Sequence, residues 1–436
     1  MGKLKNNGDI GKKIHQLAKK LWPINRSITG DGVRESLKIL KQICPKLSII
    51  EVPSGKKVFD WTIPKEWNVK EAWLKGPDNK EILNFADNNL HLVSYSMPVN
   101  KKIGLKELKK HLYSLSEKVD AIPYVTSYYE KRWGFCLSEN KKKKLKEGKY
   151  WAYINSKFEK GSLTYGEIII PGNTKKEIFL STNICHPSLA NNELSGPTVT
   201  IFLAKWLQSL KKRKFTYRII FVPETIGSIA YLSKHYKHMK KNVFAGFNIV
   251  CVGDDRSYSY LPSRKGNTIS DQVAKHVLKW TDKNFKIYNW SQRGSDERQY
   301  CAPGIDLPIS SIMRSKYLEY PEYHTSKDNL INVVTPSGLE GGYGIIKKAI
   351  EALENDCFPK KTILGEPQLS KRKLYPTLNF KNKSKNINLM LDLTSYSDGQ
   401  TSLLDIAEKI NIPIWLLYNK IDILVKNKLL SLKKKK

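Results

Sequence analysis

Three positions in this chain carry groups able to hold a cation or move a proton, and each stands where an apolar run ends. Ile178 to Ile184 gives way to Cys185-His186-Pro187-Ser188, Arg218 to Val222 gives way to Pro223-Glu224-Thr225, and Phe244 to Val252 gives way to Gly253-Asp254-Asp255. Runs apolar on successive residues predict strands covered on both faces, and α/β sheets place their ligands at the carboxyl ends of parallel strands. Each residue also has an ordinary explanation. A histidine can close a loop, a glutamate favours a helix N-terminus, and an aspartate near Arg256 makes a charged turn. Together, however, they supply the N and O donors that hard and borderline cations take, converging from separate rigid elements. Further on, Glu319-Tyr320-Pro321-Glu322-Tyr323-His324-Thr325-Ser326-Lys327-Asp328 adds a second histidine, with Asp328 placed to orient its ring. Tyr128 to Trp133 and Arg293 to Arg298 read either as pocket lining or as ordinary surface.

These side chains need elements to hold them. From about residue 145, strands alternate with helices through Pro308 to Met313, which predicts an α/β sandwich: a sheet with helices on both faces. Pro197 suits the first turn of the helix that follows His186. Ile10, Ile14, Leu17, Leu21 and then Leu37, Leu40 and Ile43 recur at helical spacing, and a strand follows at Leu47 to Val52. Between Val58 and Ile103, short Trp-, Tyr- and Val-containing runs are broken by Pro64, Gly76-Pro77, Asp87-Asn88-Asn89 and Pro98, the pattern of a small inserted β domain. A helix after Thr335-Pro336 closes the α/β domain. Beyond a basic, Pro-containing connector, Lys360 to Lys385, three short helices over Ile387–Leu393, Leu403–Ile410 and Ile414–Leu430 predict a winged-helix-like module with little chain left for a β wing. The expected domains are 1–55 with 106–360, the insertion 56–105, and 386–436.

Composition bounds the partners. The 436 residues exceed what one core usually serves. The net charge is +34, from 75 Lys and Arg against 41 Asp and Glu. The lysines are spread along the chain, with runs at Lys141–Lys144, Lys211–Arg213 and Lys433–Lys436, so a general lysine bias accounts for the excess and nucleic acid is not the expected partner. Six cysteines without a CxxC pair argue against disulfide frameworks and thiolate zinc knuckles. No apolar stretch is long enough for a membrane span or a signal peptide, and the expected location is cytoplasmic. The expected partner is a small-molecule or peptide-like substrate. The insertion and tail are the surfaces for a second copy or a protein partner.

The series CHPSLANNELSG, PETIGS, GDD, GSDERQY and EYHTSKDN resembles, in order, the zinc-dependent aminopeptidase and glutaminyl-cyclase fold. It looks closest to bacterial proteins with an aminopeptidase-like domain, associated with polysaccharide biosynthesis, that carry an inserted β domain and a C-terminal winged-helix-like module. The resemblance covers nearly the whole chain. It implies a zinc-aminopeptidase-like mixed sheet sandwiched by helices, one or two zinc ions, and metal ligation by His186, Asp254 and His324. Two positions depart from the family. Asn192 stands where a carboxylate bridges two ions, and the paired glutamates are reduced to Glu224. A single ion is then the simpler site, because two cations without a bridging carboxylate repel. Glu193 is the candidate to replace the missing ligand, and Glu224 acts either as general base or as a ligand. Arg293, Asp296 and Tyr323 are candidates to contact substrate, with Asn192 and Asp328 behind the ligands. The implied activity is metal-dependent hydrolysis of an amide or peptide bond in surface polysaccharide biosynthesis. The alternative is a catalytically degenerate binding or assembly factor.

Overall fold

The computed structural model describes residues 9–374 and 381–433. Residues 1–8, residues 375–380 of the expected connector and the last three lysines of the tail run lie outside the described residues. The chain forms two units, one of residues up to Asp271 with Asn284–Gly344, the other of Gln272–Lys283 with Ile345 onward.

The first unit is built on eight strands: β1 Ser48–Pro53, β2 Ser162–Ile170, β3 Glu177–Asn183, β4 Thr216–Val222, β5 Val243–Asn248, β6 Ser259–Leu261, β7 Lys286–Ile287 and β8 Ile309–Met313. They lie in the order β1-β2-β4-β3-β5-β8-β6-β7. The centre is parallel, β4 with β3, β3 with β5 and β5 with β8, while β1, β2 and β6 run antiparallel to their inner neighbours. Every residue of β3 is buried, and so is all of β4 after Thr216, as two-sided cover demands. Helices α1 Asp9–Leu21, α2 Asp31–Ile43 and α3 Ser195–Ser209 pack together, and α2 and α3 lie against the sheet. Helix α4 Ile226–Asn242 covers the other face. Successive residues of β2 show the division, since Gly166 faces Leu37 of α2 and the ring of Tyr165 meets Tyr231 of α4.

The insertion is a four-stranded antiparallel sheet in the order Glu81–Asn84, Glu66–Lys75, Lys149–Glu159, Val99–Gly104. Its longest strand, Lys149–Glu159, lies beyond the expected boundary at 105 and pairs with both Glu66–Lys75 and Val99–Gly104. The excursion from the main sheet therefore runs from Pro53 to Ser162. Alternating burial in Lys149–Glu159 marks it as a strand, but alternation does not say which sheet receives it. Trp67, Leu74 and Ala152 of the insertion share one hydrophobic core with Ile220 and Val222 of β4 and Tyr231 of α4.

The second unit holds helices Lys381–Ser395, Leu403–Lys409 and Tyr418–Lys426, close to the three expected. Phe358–Lys361 pairs antiparallel with Leu430–Lys433. This ribbon starts the module near 358 rather than 386 and supplies two strands for a wing, one of them from before the helices. The six cysteines are free, five of them buried. Among the described residues no helix is long and apolar enough to cross a membrane.

Candidate metal centre

His186 leaves the end of β3, where the Ile184 N–H still bonds to Val222 of β4 at 2.9 Å and carries the sheet pairing one residue past the strand. The chain then enters a single π turn, Ala190–Leu194, before α3 begins. This wider turn is a frequent device at functional sites. Here it returns Glu193 beneath the histidine it follows. Glu193 Oε2 lies 2.6 Å from His186 Nδ1, and Oε1 accepts the Cys185 N–H. Holding Nδ1 in this way leaves Nε2 to face the cavity. Burial opposes a positive charge on His186, but Cys185 and Glu193 outweigh it and hold its pKa well above the ordinary value. A proton and a metal ion would thus compete for Nε2.

Glu224 stands at the end of β4, with its Oε2 3.7 Å from His186 Nε2. Burial raises its pKa against the opposing pull of His186 and Arg298. The next residue, Thr225, has φ +66°, a strained conformation for a β-branched side chain. Asp296 holds it there: one oxygen of this carboxylate accepts the Thr225 N–H and the Ser228 hydroxyl, both at 2.8 Å. Burial and then Glu224 push the Asp296 pKa up to about 8. Arg298 Nη2 donates to Thr225 Oγ1 at 2.6 Å.

His324 is also left-handed, at φ +54°. Its carbonyl accepts the Tyr124 N–H at 2.9 Å. Its ring stacks on Tyr323 at 3.9 Å and lies 5.6 Å from the ring of His186, while Tyr124 touches both imidazoles at 5.0 and 5.1 Å. Burial, and then the charge on His186, lower its pKa to about 3, so the ring is neutral. Its Nε2 is buried without a hydrogen-bond partner. His186, Glu224 and His324 line one cavity of about 530 Å³, together with Trp61, Tyr124, Tyr128, Tyr129 and Arg298.

This donor set fits a metal ion. Two imidazoles on one zinc, with Zn–N bonds of about 2.0 Å and a tetrahedral angle, place their ring centres about 5 Å apart. The observed 5.6 Å is close to that, and the unpartnered Nε2 of His324 is the kind of buried atom that a ligand satisfies. Cys185, His186 and Glu193 bring their donor atoms within 4.8 Å of one another. There, however, both carboxylate oxygens are already engaged, and the thiol, pushed up to about 11 by burial, accepts the Glu224 N–H at 3.2 Å.

The other expected site residues fall outside the cavity. Asp254 is 1 % exposed, and its carboxylate accepts four hydrogen bonds, from Arg256 N (2.9 Å), Ser315 Oγ (2.8 Å), Ser315 N (2.8 Å) and Asn191 Nδ2 (3.0 Å). Asp328 accepts from Asn191 N, Asn192 N and Tyr320 OH at 2.7, 3.0 and 2.9 Å, bracing the π turn rather than His324. The Asn192 Oδ1 is buried without a partner. Tyr323 packs on His324, and Asp296 lies behind Glu224 and Thr225. Arg293 is exposed, lying over the Trp290 ring at 5.1 Å. Of the two segments read as lining or surface, Tyr128, Tyr129 and Arg298 line the cavity. Tyr124, Trp61 and Cys185 also line it, with no role expected from the sequence; Tyr124 lies four residues before the aromatic segment Tyr128 to Trp133.

The sheet order and the helical layers define a class, the zinc-aminopeptidase fold. The zinc aminopeptidase of Bacillus subtilis matches with a TM-score of 0.59 at 13% identity, over 81% of this chain and 96% of that one. Residues 15–356 match the family described as a domain of unknown function, DUF4910, and residues 358–432 match a winged helix-turn-helix family. A Clostridium acetobutylicum protein named for polysaccharide biosynthesis and an aminopeptidase-like domain is 42% identical over 412 residues, 93% of each chain. A crystal structure of a candidate peptidase from C. acetobutylicum matches with a TM-score of 0.92 at 40% identity, over 98% of each chain. The chain belongs to this DUF4910 family of bacterial aminopeptidase-like proteins.

Proposed function

We propose that the protein is a metal-dependent hydrolase of an amide or peptide bond, with His186 and His324 holding one zinc ion and Glu224 serving as general base. The observation that carries this reading is the meeting of His186 Nε2, the Glu224 carboxylate and the unpartnered His324 Nε2 in one cavity. Zinc bound there would make water more acidic and polarise a carbonyl. Glu193 fixes the His186 ring from behind, and its engaged oxygens favour orientation over ligation. Glu224, its pKa raised by burial toward the working range of a base, takes a proton from the attacking water. The water oxygen bonds to the carbonyl carbon, the C–N bond breaks, and Glu224 returns the proton to the leaving nitrogen. Asp254, with four donors around it, braces the Asn191 and Ser315 segments. With an amide at Asn192 and Asp254 so engaged, one ion is favoured over two. The name of the C. acetobutylicum relative supports a setting in polysaccharide biosynthesis.

Elemental analysis and turnover of amide substrates test the proposal. The expected result is about one zinc per chain, and a fall in kcat of about 10²- to 10⁴-fold in Glu224→Gln with the metal retained. A metal-free wild type, or activity indifferent to that change, would sink it. Bound zinc without turnover of any amide would favour the binding-factor alternative.

A further inference from the structure

We propose that Arg298 receives a carboxylate of the substrate, so that the substrate class is an N-acyl amino acid rather than a peptide with a free amino terminus. This rests on the hydrolase reading for its chemistry and on the cavity alone for its recognition.

The charges lining the cavity carry the argument. Among the described residues that line it, Glu224 is the single carboxylate, and the base role claims it. Arg298 lines the same space and makes no ion pair among the described residues. One nitrogen donates to Thr225 Oγ1 at 2.6 Å, and Nε is buried without a partner. A guanidinium presents five N–H donors in a planar fork that matches a carboxylate, so most of this fork is unused. Thr225 holds its hydroxyl against Arg298 from a strained backbone at φ +66°, itself fixed by buried Asp296.

Among the described residues, a substrate ammonium finds no carboxylate in the cavity lining other than Glu224. Glu193 and Asp254 lie off the cavity with both oxygens engaged, and Asp296 lies behind Thr225. The positive charge of Arg298 would repel it, and a cation held by His186 and His324 would add to that field. The remaining wall suits an acyl group or a ring. Trp61 and Tyr129, 37 % and 56 % exposed, meet edge to face at 5.8 Å, and the Tyr124 and Tyr128 hydroxyls are 2.6 Å apart. Hydrolysis adds the water oxygen to the acyl carbon and both its protons, one through Glu224, to the two products. These are a carboxylic acid and an amino acid.

Isothermal titration calorimetry on the zinc-loaded full chain tests this with hippurate (N-benzoylglycine), its uncharged amide hippuramide, and phenylalaninamide. The expected result is hippurate binding at least about tenfold more tightly than hippuramide, a factor typical of one charge-assisted contact. Arg298→Gln should erase that preference, and Arg298→Lys should keep part of it. Equal binding of hippurate and hippuramide, tighter binding of phenylalaninamide, or a preference surviving in Arg298→Gln would overturn the proposal. Should Arg298→Gln not fold, the wild-type comparison still decides. Discrimination without cleavage of hippurate supports the carboxylate site and counts against the hydrolase reading alone.

Discussion

His186 is aimed by a carboxylate seven residues further along the chain, and this is the feature the sequence could least specify. By its position in the sequence, Glu193 is a candidate ligand displaced by one residue from the family's bridging aspartate. In the structure both its oxygens point back at the Cys185–His186 segment. Glu193→Gln should therefore weaken zinc binding by about 10- to 100-fold, the usual cost of losing an orienting partner, as read by competition with a chromogenic chelator. A much larger loss would make Glu193 a ligand in its own right. The residues at strand ends were legible because an ionisable group closing an apolar run is conspicuous. Arg298 was legible only as part of a charged segment, since nothing in SDERQY says that Arg298 turns inward while nearby Arg293 lies on Trp290. Side-chain direction in a short irregular segment depends on what packs against it.

At the scale of elements, α3 must approach the sheet closely for the π turn before it to reach His186. Gly196 permits that approach. A Cβ there would meet Thr182 Oγ1 at 2.3 Å and the Ile249 carbonyl at 2.5 Å, and the latter is backbone that cannot step aside. Gly196→Ala should cost about 1–3 kcal/mol in urea unfolding and should also weaken metal binding, because α3 and the turn carrying Glu193 move together. A variant of unchanged stability would show that α3 has freedom to shift. Strands β3 to β5 and the helices between them were readable from period and apolar runs. The sequence leaves the insertion's last strand unplaced, because Lys149–Glu159 has the same alternation whichever sheet it joins, and only its pairing with Glu66–Lys75 decides.

At the scale of the whole molecule, the chain joins an aminopeptidase-like unit to a second unit whose own packing includes a buried titratable group. His276, 1 % exposed, accepts the Ile414 N–H at Nε2 at 2.9 Å and pairs with Glu408 through Nδ1. Burial lowers its pKa below 6.5, against the pull of Glu408. A depressed folded-state pKa gives stability that is complete above the unfolded value and is lost as the pH falls through the folded one. The second unit should thus melt progressively earlier as the pH drops below about 6.5. His276→Ala should remove that pH dependence at a cost of about 2 kcal/mol, followed by calorimetry from pH 8 to 5. Unchanged acid sensitivity in the variant would assign it elsewhere. The sequence alone determined the order of elements, the strand ends that bear His186 and Glu224, and the family resemblance, because periodicity and the residues closing each run are local properties. Tertiary structure alone decided that His324, about 140 residues away, meets His186 across Tyr124, that Asp254 is turned to Ser315 and Asn191, and that Arg298 faces the cavity. Those outcomes depend on which buried donors and acceptors find partners, and that is settled only when distant segments pack.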